Sequence, residues 1–337
     1  GVDQGCPLSP ALFAVGIAEP LAELAEAVRR RDPHARVISY LDDIYIVVDP
    51  RHAAEAFDRA RQLFERLGLE LNRSKCWAWS AMGPLNVPEA LADLRVPTFK
   101  CLGSAMHFVV AVADYAEDAD RVHVSPDAVT GALAPALAAL AHFTRALHKL
   151  RANGLSLQHA FVLHRVYTDG AVTHLLRGSL LEANWCDLWD YHVEQCFAQL
   201  LHESELSATL RVQFHLPLSC ERTGWGVESA RWRREAAFLG SWHLCLGPVA
   251  VALRFVCAEQ LLQAAERSVR GPLAEAASVI RTLVPGYSFD ADALFEEPDA
   301  KRQSELMEAV YAAKEATLVD ALWNLSLIHI SEPTSPL

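Results

Sequence analysis

The chain has 337 residues, 52% of them hydrophobic and 21% charged, with a formal net charge of −12. That is a globular composition, long enough for one large domain or two to three ordinary ones. No apolar run of about 18 residues reads as a membrane span, and no basic segment with an apolar core reads as a secretory leader. The eight cysteines form no C-x-x-C pair of the kind found in zinc knuckles and redox sites, so a reduced, intracellular, non-secreted protein is expected.

From Pro10 to about Arg31, residues Leu12, Phe13, Val15, Ile17, Leu21, Leu24, Ala25 and Val28 predict one buried helical face. Pro20 should kink or split that helix, Arg29, Arg30 and Arg31 complement its dipole, and Ser9-Pro10 reads as a cap followed by proline. Val37–Tyr40 and Ile44–Val48 are β-branched and aromatic runs flanking Leu41-Asp42-Asp43, which predicts a hairpin with carboxylates at its tip. Ala53, Phe57, Ala60, Leu63, Phe64 and Leu67 predict an amphipathic helix closed by Gly68. Leu69–Leu71, Cys76–Trp79 and Pro97–Met106 read as short strands, with Asn72–Lys75 a turn.

After about residue 120 the pattern becomes Ala/Leu-rich. Helices are predicted over 128–150, 157–168, 184–203, 228–245, 249–268, 271–283 and 304–324. Turn signals separate them at Asn153-Gly154, Asp169-Gly170, Gly224/Gly226, Gly247-Pro248 and Pro285-Gly286. The fold class is therefore α+β, an α/β module of about a hundred residues preceding a mostly helical region. Residues 325–337 resemble a translated sequencing-library adapter and are set aside.

Three features bear on chemistry. Asp42 and Asp43, adjacent on a hairpin tip, suit a hard divalent cation such as Mg²⁺, although an Asp-Asp turn also fits a solvated hairpin. Cys186, His192, Cys196 and His202 spread over a wide arc of one helix at no common zinc spacing, which reads as plain helix. Arg231-Trp232-Arg233-Arg234 suits single-stranded nucleic acid, whereas Val227, Ala230, Ala237 and Phe238 around it suit a packed helix.

The order of motifs narrows the choice. Gln4-Gly5-Cys6-Pro7-Leu8-Ser9-Pro10 opens a helix, Tyr40-Leu41-Asp42-Asp43 follows, then Gly68-Leu69 through Asn72 and Lys75, and finally Cys101-Leu102-Gly103. Over residues 1–106 this resembles the palm of reverse transcriptases, RNA-directed DNA polymerases. The Cys-containing wording resembles the non-LTR (long interspersed element) retrotransposon enzymes most. A softer similarity recurs at Leu216-Pro217-Leu218 through Gly226 and at Ala236–Trp242. An intron maturase or another cellular reverse transcriptase, or a catalytically dead remnant that only binds nucleic acid, stay open as alternatives.

The resemblance implies a partial palm over 1–106, an RRM-like antiparallel sheet with helices on one face. It implies a helical thumb-like region over 107–205 and a helical C-terminal region over 206–324. It implies catalytic and metal-binding roles for Asp42 and Asp43, on a pair of Mg²⁺ ions completed by an Asp outside this chain. Lys75 would approach the pyrophosphate, Gln4 and Gly5 the incoming nucleotide and template, and Tyr40 the primer end, with Leu102 and Gly103 forming a primer-gripping hairpin. Partners would be RNA template, DNA primer and dNTP, without membrane, at a nuclear or cytoplasmic site. Arg145, Lys149 and Arg151 would face phosphates or act as a solvated helix end. Because the remaining Asp and the fingers would precede Gly1, these residues alone are expected not to polymerise and to expose a hydrophobic strand edge.

Overall fold

A computed structural model describes residues 8–40, 43–80, 84–96, 99–101, 104–106, 126–216, 224–297, 302 and 304–315. It divides into two compact units, 1–125 and 126–337. Its described residues are mostly helical, with two small antiparallel hairpins, in keeping with the α+β expectation.

The first unit begins with helix α1 (Ser9–Arg31), which runs unbroken through a buried Pro20, so the expected split does not occur. Leu8 occupies the cap position without a side-chain hydrogen bond, and Ser9 is the first helical residue rather than the cap. The buried stripe is Ile17, Leu24 and Val28, while Leu12 (58% exposed) and Val15 (76%) face outward, against expectation. Strands β1 (Arg36–Tyr40) and β2 (Asp43–Val47) pair antiparallel with Tyr40 opposite Asp43 and Arg36 opposite Val47. Side chains alternate across a strand, so Val37, Ile44 and Ile46 join the core of α1 and α2 (Pro50–Arg66), built on Ala56, Ala60, Leu63 and Phe64. The helices therefore lie on one face of this hairpin.

The base of the hairpin is tied down by charge. Asp32, just after α1, accepts hydrogen bonds from the backbone N–H groups of His34 (2.9 Å) and Asp49 (2.8 Å). Asp49 in turn caps α2 through the Arg51 N–H and pairs with the Arg51 side chain, which holds its carboxyl at about 2.

Beyond α2 the expected strands do not form as read. The Leu69 N–H returns to the Phe64 carbonyl and Gly68, at φ +72°, donates to Glu65; this Schellman closure takes the donor a Leu69–Leu71 strand would need. Cys76–Trp79 contributes a single bridge, Ala78 with Arg95. A second small cluster of Val87, Leu91 and Leu94 packs on Phe57 and Ala53 of α2. Pro97–Met106, read as one strand, holds two, β3 (Phe99–Cys101) and β4 (Ser104–Met106), paired as a hairpin.

The second unit contains α3 (Pro126–Ala152), α4 (Leu157–Gly178), α5 (Ala183–Leu200), α6 (Ala208–His215), α7 (Ala230–Ala252), α8 (Ala258–Ala264), α9 (Gly271–Leu283), α10 (Ala291–Glu296) and a helical run over 304–315. Helices α6 and α10 were not foreseen. Asp169-Gly170 and Gly247-Pro248, read as turns, lie inside α4 and α7. Asn153-Gly154 and Pro285-Gly286 are turns, with Gly154 and Gly286 at positive φ. Helix α7 divides its faces between two cores. Ala230 and Ala237 join Trp189, Phe197 and Phe214, whereas Ala236, Phe238 and Leu239 join Leu261, Ala276, Ile280 and Leu294. Among the described residues no helix is long and apolar enough to cross a membrane.

Candidate active site

The β1–β2 hairpin decides where the expected carboxylates sit. With Tyr40 opposite Asp43, only Leu41 and Asp42 connect the strands, so Asp43 opens β2 beside the tip. Two-residue connections are tight, and the Asp32–Asp49 clasp fixes the other end. Residues 43, 45 and 47 face away from the core, and Asp43 is exposed. Among the described residues no Lys, Arg or His pairs with it. Its one hydrogen bond there comes from Tyr45, whose hydroxyl donates to Oδ2 at 3.2 Å.

Lys75 closes a 3₁₀ turn (Arg73–Lys75), with Asn72 accepting from the Ser74 N–H and hydroxyl. The turn is anchored by Arg73, which makes two 2.8 Å hydrogen bonds to Asp93 and lies over the Phe57 ring at 5.5 Å. Lys75 itself is exposed. Two residues on, Trp77 packs against Tyr45, ring centroids 5.9 Å apart. The carboxylate strand and the lysine turn are thus joined through one aromatic contact. Tyr45 and Trp77 belong to none of the motifs that mark the site in the sequence, although the two-residue spacing of Asp43 and Tyr45 on one strand face is a signal for the first.

Gln4, Gly5, Asp42, Leu102 and Gly103 lie outside the described residues, and Tyr40 is described in its backbone only.

This region is also where similarity to known proteins falls. Residues 1–106 match the family described as reverse transcriptase (RNA-dependent DNA polymerase). No curated protein and no solved structure matches the chain. The match takes in α1, the Asp43 hairpin, the Lys75 turn and the β3–β4 hairpin, and points to reverse-transcriptase-like function for the first unit. It ends before α3, leaving the helical unit to be read from its own residues.

There, Arg233 and Arg234 prove to be packing, while Arg231 is 40% exposed and pairs with Asp187 and Glu235 at 3.6 Å each. Arg233 binds Glu228, the Thr173 hydroxyl (3.3 Å) and the Asp169 carbonyl (3.0 Å). Arg234 binds the Leu181 carbonyl, Glu235 (2.7 Å) and Glu275 (3.0 Å). Both arginines are buried, so they stitch α7 to its neighbours and are not free for phosphate. Asp190 accepts from the Ser229 hydroxyl (2.5 Å) and from the N–H groups of Ala230 (2.8 Å) and Arg231 (3.1 Å), capping α7 from α5. Beside it, His215 bridges Glu194 and the Val227 carbonyl at 3.0 Å each. Burial alone would lower the His215 pKa, but Glu194 and Asp190 raise it overall. Cys186 is buried, its thiol pushed up to about 12 by burial and then by the Asp190 charge. No group of three or more His, Cys, Asp or Glu among the described residues is arranged to hold a metal.

Basic character is concentrated in α3 and α4 instead. Residues 126–178 hold Arg145, Lys149, Arg151, Arg165 and Arg177 against Asp127 and Asp169, in a chain of net −12. Arg145, Lys149 and Arg177 are exposed, whereas Asp169 is occupied by the Glu228 N–H at 3.0 Å.

Proposed function

We propose that the chain is part of an RNA-directed DNA polymerase of the non-LTR retrotransposon type, with residues 1–106 as palm and the helices beyond as thumb and C-terminal regions. The observation that carries this reading is Asp43, an exposed carboxylate with no described cation partner, at a clasped hairpin tip inside the matched region. A lone surface carboxylate costs little, but two adjacent ones are stabilised by a cation. The exposed oxygen donors fit Mg²⁺. Asp42 and Asp43 would hold the ions together with an Asp from outside these residues. Magnesium supplies activation of the primer hydroxyl and charge stabilisation at the leaving pyrophosphate.

The protein's own contribution is positioning. The Asp32 clasp sets the hairpin, and the Arg73–Asp93 pair sets the Lys75 turn, from which a cation can approach the nucleotide's phosphates. Gln4, Gly5 and Tyr40 border nucleotide and primer on this reading, with Leu102 and Gly103 gripping the primer. Arg145 and Lys149, one turn apart on α3, contact the template–primer backbone, while Arg151 lies in the helix's last turn. The protein acts inside the cell, in the nucleus or cytoplasm.

Nucleotide selection by the RNA template tests this without requiring turnover. A labelled recessed RNA–DNA hybrid with template adenine next should bind more tightly in the presence of Mg²⁺ and dTTP than with Mg²⁺ and dGTP. Asp42→Asn with Asp43→Asn should abolish that difference. Arg145→Ala with Lys149→Ala should weaken binding for every sequence and flatten its salt dependence. A hybrid affinity indifferent to which dNTP is present refutes the proposal.

A further inference from the structure

We propose that Tyr45 is a positioning residue for Asp43, holding its carboxylate in one orientation toward the metal and tying that orientation to the Lys75 turn. The inference rests on the reading of Asp43 as a metal ligand. Asp43 and Tyr45 stand two residues apart on β2, so their side chains leave the same face of the hairpin. The Tyr45 hydroxyl donates to Oδ2 at 3.2 Å, leaving Oδ1 as the oxygen not engaged by a described donor. The tyrosine ring is held from the side by Trp77, tilted 46° to it at 5.9 Å. Trp77 follows Lys75 by two residues, behind the turn that Arg73 anchors to Asp93.

An exposed aspartate ordinarily rotates among its rotamers and loses that freedom when it binds a cation. A donor on one oxygen removes part of the freedom beforehand and directs the other oxygen outward. Such supporting hydrogen bonds orient ligating carboxylates in metal sites generally. The Trp77 contact adds a second consequence. A shift of the lysine turn moves Trp77, then the tyrosine ring, then the hydroxyl on Asp43, so cation and phosphate contacts are set together.

Mn²⁺, observed directly by electron paramagnetic resonance, is the probe, titrated into the full 337-residue chain with Asp43→Asn marking the background of the acidic surface. Tyr45→Phe keeps the ring against Trp77 and removes only the donor. It should weaken the Asp43-dependent site on the order of tenfold, the low end for a supporting hydrogen bond, with an unchanged thermal midpoint. Trp77→Ala should weaken the same site, and Trp77→Phe should restore it. If Asp43→Asn leaves Mn²⁺ binding as in the parent chain, the metal reading fails and this inference with it. If Asp43→Asn removes the site but Tyr45→Phe does not change its affinity, the metal reading stands and the role of Tyr45 is overturned.

Discussion

The burial of His164 predicts that the helical unit is sensitive to acid. The side chain is fully buried on α4 between Phe197 and Phe214, with ring centroids 5.7 Å and 6.3 Å away. Neither ring nitrogen makes a well-formed hydrogen bond among the described residues, the Val193 backbone being the one polar group near enough to act on the ring. Burial therefore lowers the imidazole pKa from 6.5 to about 4, against a small opposing effect of the Val193 backbone. A group whose folded pKa is depressed contributes stability above its unfolded pKa and loses it as pH falls through the folded one. The gap between 6.5 and about 4 corresponds to about 3 kcal/mol at 1.36 kcal/mol per pH unit. By pH 4.5 most of that, about 2 kcal/mol, should be lost relative to pH 7.

Asp169 pulls the other way. Burial, then the Glu228 charge, raises its carboxyl to about 6, so its contribution falls as pH rises from about 4 to about 6. The clean measurement is therefore a difference between chains. His164→Leu, close in volume and free of unpaired nitrogens, should be neutral or up to about 1 kcal/mol more stable at pH 7. Denaturant unfolding followed by tryptophan fluorescence suits this region, since Trp225 packs edge-on to both Phe197 and Phe214. The parent chain should lose about 2 kcal/mol more than His164→Leu between pH 7 and pH 4.5. Equal losses in the two chains would refute the assignment of the acid sensitivity to His164.

Two further outcomes follow from geometry. A Cβ on Gly247 would lie 2.7 Å from the Phe295 carbonyl oxygen, whereas one on Gly170 meets nothing within 4 Å. Gly247→Ala should therefore destabilise by about 1–3 kcal/mol through overpacking, and Gly170→Ala should stabilise by up to about 1 kcal/mol through helix propensity; thermal midpoints moving in the same direction would contradict this. Asp93→Ala releases Arg73 and should speed amide hydrogen exchange over residues 73–78 while leaving the β1–β2 hairpin as it was. Unchanged exchange would mean that the Arg73–Asp93 pair does not hold the Lys75 turn.

The β1–β2 hairpin and α2 were readable because their signals are local: β-branched runs on either side of a short polar tip, and apolar residues at helical spacing. The failures were equally specific. Gly247-Pro248 reads as a turn until α10 is known to press its backbone against that glycine. Asp169-Gly170 reads as a turn because a free Asp would bond its own backbone. Here the carboxylate is taken by an N–H 59 residues away, and the stripe Ala160, His164, Thr168, Val172, Leu176 carries α4 through. Arg231–Arg234 resembles a nucleic-acid contact only while Glu228, Glu235 and Glu275 are not seen around it. In each case a partner distant in sequence decides what the local residues do.

The same comparison separates Asp43 from the acids that the fold engages. Asp32, Asp49, Asp93, Asp169 and Asp190 each have their oxygens claimed by backbone N–H groups or an arginine. Their carboxyl groups are tied into the fold, and nothing about them calls for a ligand. Asp43 has the Tyr45 hydroxyl and, among the described residues, no cation. Exposed acids such as Glu203 and Asp292 likewise pair with no cation among the described residues, so the metal reading falls on Asp43 through its place in the Tyr40–Asp43 motif of the matched region.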